Sequence, residues 1–307
     1  MIANFFNKTK PVKVFYLIVL LLVYYLISMF LQMKDGFSVL YFVKQIGFFL
    51  CIVLFLLSVD FIIKKNNLTS DNLYAHVLIV LMFLIFEEAL FSNKIILSNV
   101  ALLFGFRKIY SLRSVSNTKK KLFDAGFWIG IASLIYIWSL PFFVLIYIGI
   151  IAFQRLDFKN LFVPVLGLII PFFLFFTYHF YLDNLHQFYE HFMFYYSIDF
   201  TNYLKVKLLF PVIILGLLLL FGIVVLTPKI VMVNNKLKFS WIVLLHHVLI
   251  ALIVTILAPE KNGAIMLYLF FPTAIIVANY MQKINSKIVK EVVLYSIVVL
   301  AIAVNFL

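Results

Sequence analysis

Charge is scarce in this sequence. Only 12% of its 307 residues are Asp, Glu, Lys or Arg, about half of what soluble domains carry, which excludes a closed core wrapped in a water-facing surface. The shortage is greatest among acids, with 12 carboxylates against 25 lysines and arginines. Cysteine is nearly absent: Cys51 stands alone, so neither a disulfide framework nor a cysteine metal site can form. Its thiol reads as apolar packing. Also missing are GxxxxGK[ST], a GxGxxG following a strand, and GxSxG, so nucleotide-driven transport and serine hydrolysis have no local support. No cofactor is implied.

What fills the chain instead is apolar. Hydrophobic residues make up 65% and the mean hydropathy is +1.14, against an apolar share of about 45–50% in soluble domains. A span needs about 20 mainly apolar residues to cross a hydrocarbon core of roughly 30 Å. Val14–Met33 supplies that length without a charge. Further candidates are Ile46–Ile63, Tyr74–Phe91, Ile95–Phe106, Phe123–Ile137, Leu140–Phe153, Leu161–Leu182, Leu208–Pro228, Trp241–Ala258, Ala264–Met281 and Val292–Leu307. The expectation is an all-α polytopic transmembrane helical bundle of about 11 spans, forming one domain over residues 1–307. Lys8, Lys10 and Lys13 before the first run resemble the start of a signal peptide. That run is longer than a signal core and lacks a small-residue cleavage site, so it reads as a permanent span.

Orientation follows from the bases. With the N-terminus inside and the C-terminus outside, 19 of the 25 fall on the cytoplasmic side, as the positive-inside rule requires. The same rule decides two ambiguous places. Phe123–Phe153 has the length of one tilted helix, but Lys119–Lys121 precede it and Arg155 and Lys159 follow it. A hairpin turning at Trp138–Pro141 satisfies both clusters, because Pro disfavours uninterrupted helix. Ile95–Phe106 is short and becomes the return arm of a second hairpin by the same parity. The net charge of +13, which would suggest nucleic acid in a soluble protein, is explained by topology and by anionic lipids, and no nucleic-acid partner is expected. One outer segment has length, 178–207. It is dense in aromatics such as Tyr181, Phe192 and Tyr196, which favour the headgroup level, so a helix or two lying on the outer leaflet is expected.

Few residues are placed for chemistry. In HQFYEH, His186 and His191 are five apart and face differently, which does not fit the four-residue spacing of zinc helices; no metal site is expected. His246 and His247 lie inside a span, where an ionisable group is functional by default, although neutral imidazoles bonded between helices, or lying near the cytoplasmic entrance of that span, are the favoured account. The outer acids are more informative. Asp35 closely follows the first span, and Glu87–Glu88 interrupt an apolar helix near its outer end. A carboxylate at that depth finds a cation or raises its pKa, and both suit a base at a membrane surface. The plain alternative is a helix end whose acids reach water.

Three stretches carry a resemblance. NKTKPVKVFYLIVL, KKKLFDAGFWIGIASLIYIWSLPFFVLIY and APEKNGAIMLYLFFPTAIIVANYMQKI resemble an uncharacterised family of bacterial polytopic inner-membrane proteins of about this length. That resemblance implies the bacterial inner membrane and no particular activity. More distantly, the basic loop followed by AGFWIGIASLIYIWSLPFFVL resembles the middle of GT-C glycosyltransferases, which take sugars from polyprenyl-phosphate donors on the outer face. By that resemblance Asp35 is the base for the acceptor hydroxyl. Lys34, Lys94, Lys205 or Lys207 hold the donor phosphate, and Glu87 and Glu88 contact a sugar or metal. The first outer loop is much shorter here than in those enzymes. The expected function is a GT-C-like transferase, or a recogniser of lipid-linked sugars. The alternatives are a non-catalytic membrane subunit of an envelope assembly and, third, a small-solute transporter, for which symmetric broken helices are lacking. Expected partners are membrane lipids, a polyprenyl-phosphate sugar, or another membrane protein.

Overall fold

The computed structural model describes residues 2–32, 38–233 and 235–306. Among these, all regular backbone is helical, with no strand. In chain order the helices are α1 (Ile2–Phe6), α2 (Pro11–Gln32), α3 (Val39–Asn66), α4 (Tyr74–Ile85), α5 (Glu88–Phe91), α6 (Asn93–Tyr110), α7 (Thr118–Ile135), α8 (Val144–Ala152), α9 (Phe158–Tyr181), α10 (Leu185–His191), α11 (Val206–Val233), α12 (Asn235–Leu257), α13 (Leu267–Lys283) and α14 (Lys287–Val304). Four 3-10 helices join them: Ser111–Arg113, Ile137–Phe143, Thr201–Leu204 and Gly263–Met266.

Among the described residues, seven helical segments are long and apolar enough to cross a membrane: Pro11–Gln32, Val39–Asn66, Asn93–Arg113, Phe158–Tyr181, Val206–Met232, Leu237–Leu257 and Gly263–Lys283. Tyr74–Ile85 and Ile137–Ala152 are apolar but shorter. The chain is thus an all-helical, multi-pass membrane protein. The segment expected to be short, Ile95–Phe106, belongs to a longer helix, because α6 extends through Arg107 and Lys108 to Tyr110. Arg107 stays on the helix by laying its guanidinium 4.1 Å from the centre of the Phe61 ring, a contact that satisfies the charge against an aromatic face.

The core is the pair α4 and α13. Every residue from Tyr74 to Phe83 is buried, and 89% of the apolar window containing α13 is buried, against 17% for α9. Lipid offers apolar side chains no reason to leave it, so association rests on close packing and on hydrogen bonds between helices. Both are present. Edge-to-face rings run from Phe55 to Phe83 at 5.8 Å and from Phe83 to Phe270 at 5.0 Å. Asn279 of α13 donates to the Leu68 carbonyl at 2.8 Å. Glycines let α7 approach α9: a Cβ at Gly126 would fall on the Pro164 carbonyl oxygen, and one at Gly167 on the Phe123 carbonyl oxygen. The outward faces of α2, α9 and α11 carry exposed Phe15, Leu20, Phe173, Leu174, Leu217 and Phe221, a surface suited to hydrocarbon rather than water.

The Phe123–Phe153 stretch folds back on itself. Lys121, at the start of α7, donates to the Ser111 carbonyl at 2.8 Å, while Arg155, beyond α8, donates to the Leu112 carbonyl at 3.0 Å. The two arms therefore begin and end at the same end of the bundle. The turn is not at Trp138–Pro141, however. The chain breaks at Tyr136, which is extended (φ −149°, ψ 111°), and Pro141 lies inside the following 3-10 helix. Proline's fixed φ suits the first turns of a helix, so it helps start the return arm instead of forming the corner.

Candidate functional site

Three interruptions of helical backbone meet at one end of the bundle. The first is Phe86–Glu87 between α4 and α5, the second is Tyr136 between α7 and the 3-10 helix Ile137–Phe143, and the third is the connection from Ala258 to Asn262 after α12. Irregular backbone at membrane depth is tolerated only where protein or water satisfies it, and here side chains from each break satisfy another. The Gly263 amide donates to Glu88 Oε2 at 2.9 Å, and a Cβ at Gly263 would occupy the position of that oxygen. Glycine is what lets the carboxylate dock. The Tyr136 hydroxyl donates to Glu260 Oε2. Tyr268 of α13 lies 2.8 Å from Ser98 Oγ and 3.0 Å from Ser139 Oγ, which ties α6 to the second break.

Glu87 faces outward from the same break. Gln32, the last residue of α2, donates to its Oε1 at 3.0 Å, and Lys207 of α11 stands 4.0 Å from its Oε2. Lys261 is 5% exposed and turns back to cap α12, donating to the Thr255 carbonyl at 3.4 Å and to that of Ile256. Its ammonium also lies 5.1 Å from the Phe200 ring centre. Burial lowers the Lys261 pKa, and the neighbouring Glu260 works against that shift. Tyr203 rises to about 12, through burial and then the Glu88 carboxylate. Its hydroxyl has no hydrogen-bond partner among the described residues.

Of the residues expected from the sequence, Glu87, Glu88 and Lys207 come together here. Lys34 and Asp35 lie outside the described residues. Lys94 and Lys205 are exposed and form no ion pair among the described residues. Burial, with a smaller push from Lys94, lowers the pKa of His191. His186 and Glu190 approach at 3.5 Å one helical turn apart on exposed α10, and no group of three metal-ligating side chains occurs among the described residues. His247 is fully buried, but it does not bond between helices. Its ring nitrogens have no partner among the described residues, and it packs 4.3 Å from Phe106 and 5.5 Å from Phe271. Within the long outer segment, between the end of α9 and the start of α11, the regular stretches are α10 and the 3-10 helix Thr201–Leu204. It is tied to the bundle by Trp138 Nε1 donating to the Tyr195 carbonyl at 3.0 Å and by the Ser197 amide donating to Leu257 at 3.1 Å. The tyrosines at positions 136, 203 and 268 had no signal in the sequence.

The match to a family comes from the whole chain rather than from this cluster. A model described as a family of unknown function, DUF6427, matches residues 6–307. The chain belongs to DUF6427. No curated protein and no solved structure matched it. In this DUF6427 chain, then, the glutamate cluster is read from its own geometry.

Proposed function

We propose that this DUF6427 protein works at the end of the bundle that carries Glu87 and Glu88, on the extracytoplasmic face of a bacterial inner membrane, as a GT-C-like transferase or recogniser of lipid-linked sugars. The observation that supports this reading is the meeting of three broken helices around acids, with Lys207 beside Glu87. In a transfer, the acceptor oxygen bonds to the anomeric carbon as the bond from that carbon to the donor phosphate breaks. A carboxylate takes the acceptor's proton, and a lysine neutralises the departing polyprenyl phosphate. Asp35 or Glu87 fills the first role and Lys207 the second; Lys34, Lys94 and Lys205 are further candidates for the phosphate.

A second reading, a non-catalytic subunit of an envelope assembly, is favoured by Glu88. Its oxygen is already held by the Gly263 amide, as a brace between helix breaks would be. One experiment separates the two. The protein is purified in mild detergent, co-purifying lipids and proteins are identified, and Asp35→Asn, Glu87→Gln and Glu88→Gln are tested together for rescue of a deletion strain at matched protein levels. The transferase reading expects a bound polyprenyl phosphate and a fall in function of about 10²-fold or more. Full rescue, with a stoichiometric protein partner, leaves the subunit reading standing instead.

A further inference from the structure

At the far end of α13 from Glu88, a helix length of about 25 Å away, the bundle holds a cavity of about 560 Å³. It opens between the connection that follows α3, the last turns of α11 and the C-terminal end of α13. Arg113, Lys229 and Lys283 line it, with Asp71 as the one acid of the lining. Lys229 and Lys283 form no ion pair or hydrogen bond with any described residue. Arg113 is held only through its donation to the Asn66 carbonyl at 3.1 Å, with no carboxylate against it. The cavity is thus two positive charges in excess of its own acid.

A neutral donor points to the same chemistry. Gln282 uses its Oε1 to accept from the Ser70 amide at 3.2 Å, while its Nε2 is buried with no partner among the described residues. Asn279 beside it is fixed by donating to the carbonyls of Leu68 and Ile275. Asn67, Thr69 and Ser70 add a polar stretch of wall, and Leu226 and Ile230 of α11 with Leu68 add an aliphatic one. Unneutralised cations, a free amide N–H and an adjoining aliphatic wall suit a phosphate whose other end is greasy. Basic pockets between helices at a membrane surface hold anionic head groups in this way, and a cavity of this size fits a head group or a small ligand.

We propose that this cavity binds a phosphate group, that of an anionic phospholipid or of a free phosphate ester, through Arg113, Lys229, Lys283 and the Gln282 amide. This holds whether or not the opposite end is a transferase site.

The test uses the full chain in mild detergent with phosphatidylglycerol, phosphatidylcholine or glycerol phosphate added, and reads retained ligand by native mass spectrometry. Lys229→Gln with Lys283→Gln is the informative variant, since neither amine supports the fold through a bond. Lys119→Gln with Lys120→Gln removes the same charge from an exposed site outside the cavity. The expected result is that wild type prefers phosphatidylglycerol by about tenfold or more, that the cavity variant loses this preference, and that the exposed-site variant keeps it. Displacement of the lipid by glycerol phosphate would identify a free phosphate ester as the source; retention against it would identify the lipid. The proposal is overturned if wild type shows no preference and no glycerol phosphate binding, if the cavity variant binds like wild type, or if the exposed-site variant loses as much.

Discussion

A hydroxyl shut away from water without a partner costs free energy, and Tyr203 carries one at the glutamate end. Removing it should help the fold. Tyr203→Phe is expected to raise stability by about 1 kcal/mol near neutral pH, read from thermal unfolding of the purified protein. The pH dependence has a definite sign. The folded phenol, at about 12, lies above its unfolded value of about 10, so the native state holds the proton more tightly. That contribution is complete below about pH 10 and is lost as pH rises through about 12. The variant should therefore decline less steeply than wild type over that window. A loss of stability in Tyr203→Phe at neutral pH would mean that the hydroxyl has a partner, with Glu88, whose charge acts on the phenol, as the candidate.

The contact between α7 and α9 is the element most dependent on single residues. Gly126 and Gly167 each leave a gap that the other helix's backbone fills, and that filling must shift if either gains a side chain. Gly126→Ala is expected to destabilise by about 1–3 kcal/mol, as overpacking does, whereas Gly216→Ala, with nothing near its Cβ position, should be close to neutral. Unfolding of both variants followed by helical circular dichroism would show equal stability if the seam were loose. These elements also show what the sequence reveals. The helices and the fold-back of α7 and α8 were legible because apolar length and the flanking bases Lys121 and Arg155 act locally. The corner at Tyr136 was not, since Pro141 is the louder breaker and the extended Tyr136 is held by a hydroxyl reaching Glu260, 124 residues away. Glu87–Glu88 stood out as charges in an apolar run. Tyr203 and Tyr268 did not, because tyrosine is one of 17 in the chain and only tertiary contact selects these.

At the scale of the molecule, the contacts divide into two ends, and the division makes an experiment on topology stricter than the charge count alone. One end gathers the connections rich in bases: Leu73 bonds to Phe6 at 3.0 Å, Arg113 to Asn66 at 3.1 Å and Arg155 to Leu112 at 3.0 Å. The other end gathers Glu87 with Gln32 and Lys207, and Ser197 with Leu257. The C-terminal helix ends there too, since Asn305 donates to the Leu84 carbonyl at 3.2 Å and accepts from the Tyr24 hydroxyl at 2.6 Å. Residues that touch at one end must share a side of the membrane, whichever side it is. Reporter fusions after Lys65, Lys121 and Lys159 should therefore agree with one another and, by the excess of bases, report cytoplasm. Fusions near Asn184 and at Leu307 should agree with each other and report the opposite side. A C-terminus on the same side as Lys121 would contradict the Asn305 contacts and the odd number of crossings expected from the sequence together, whereas a uniform reversal of every fusion would spare the fold and overturn only its orientation.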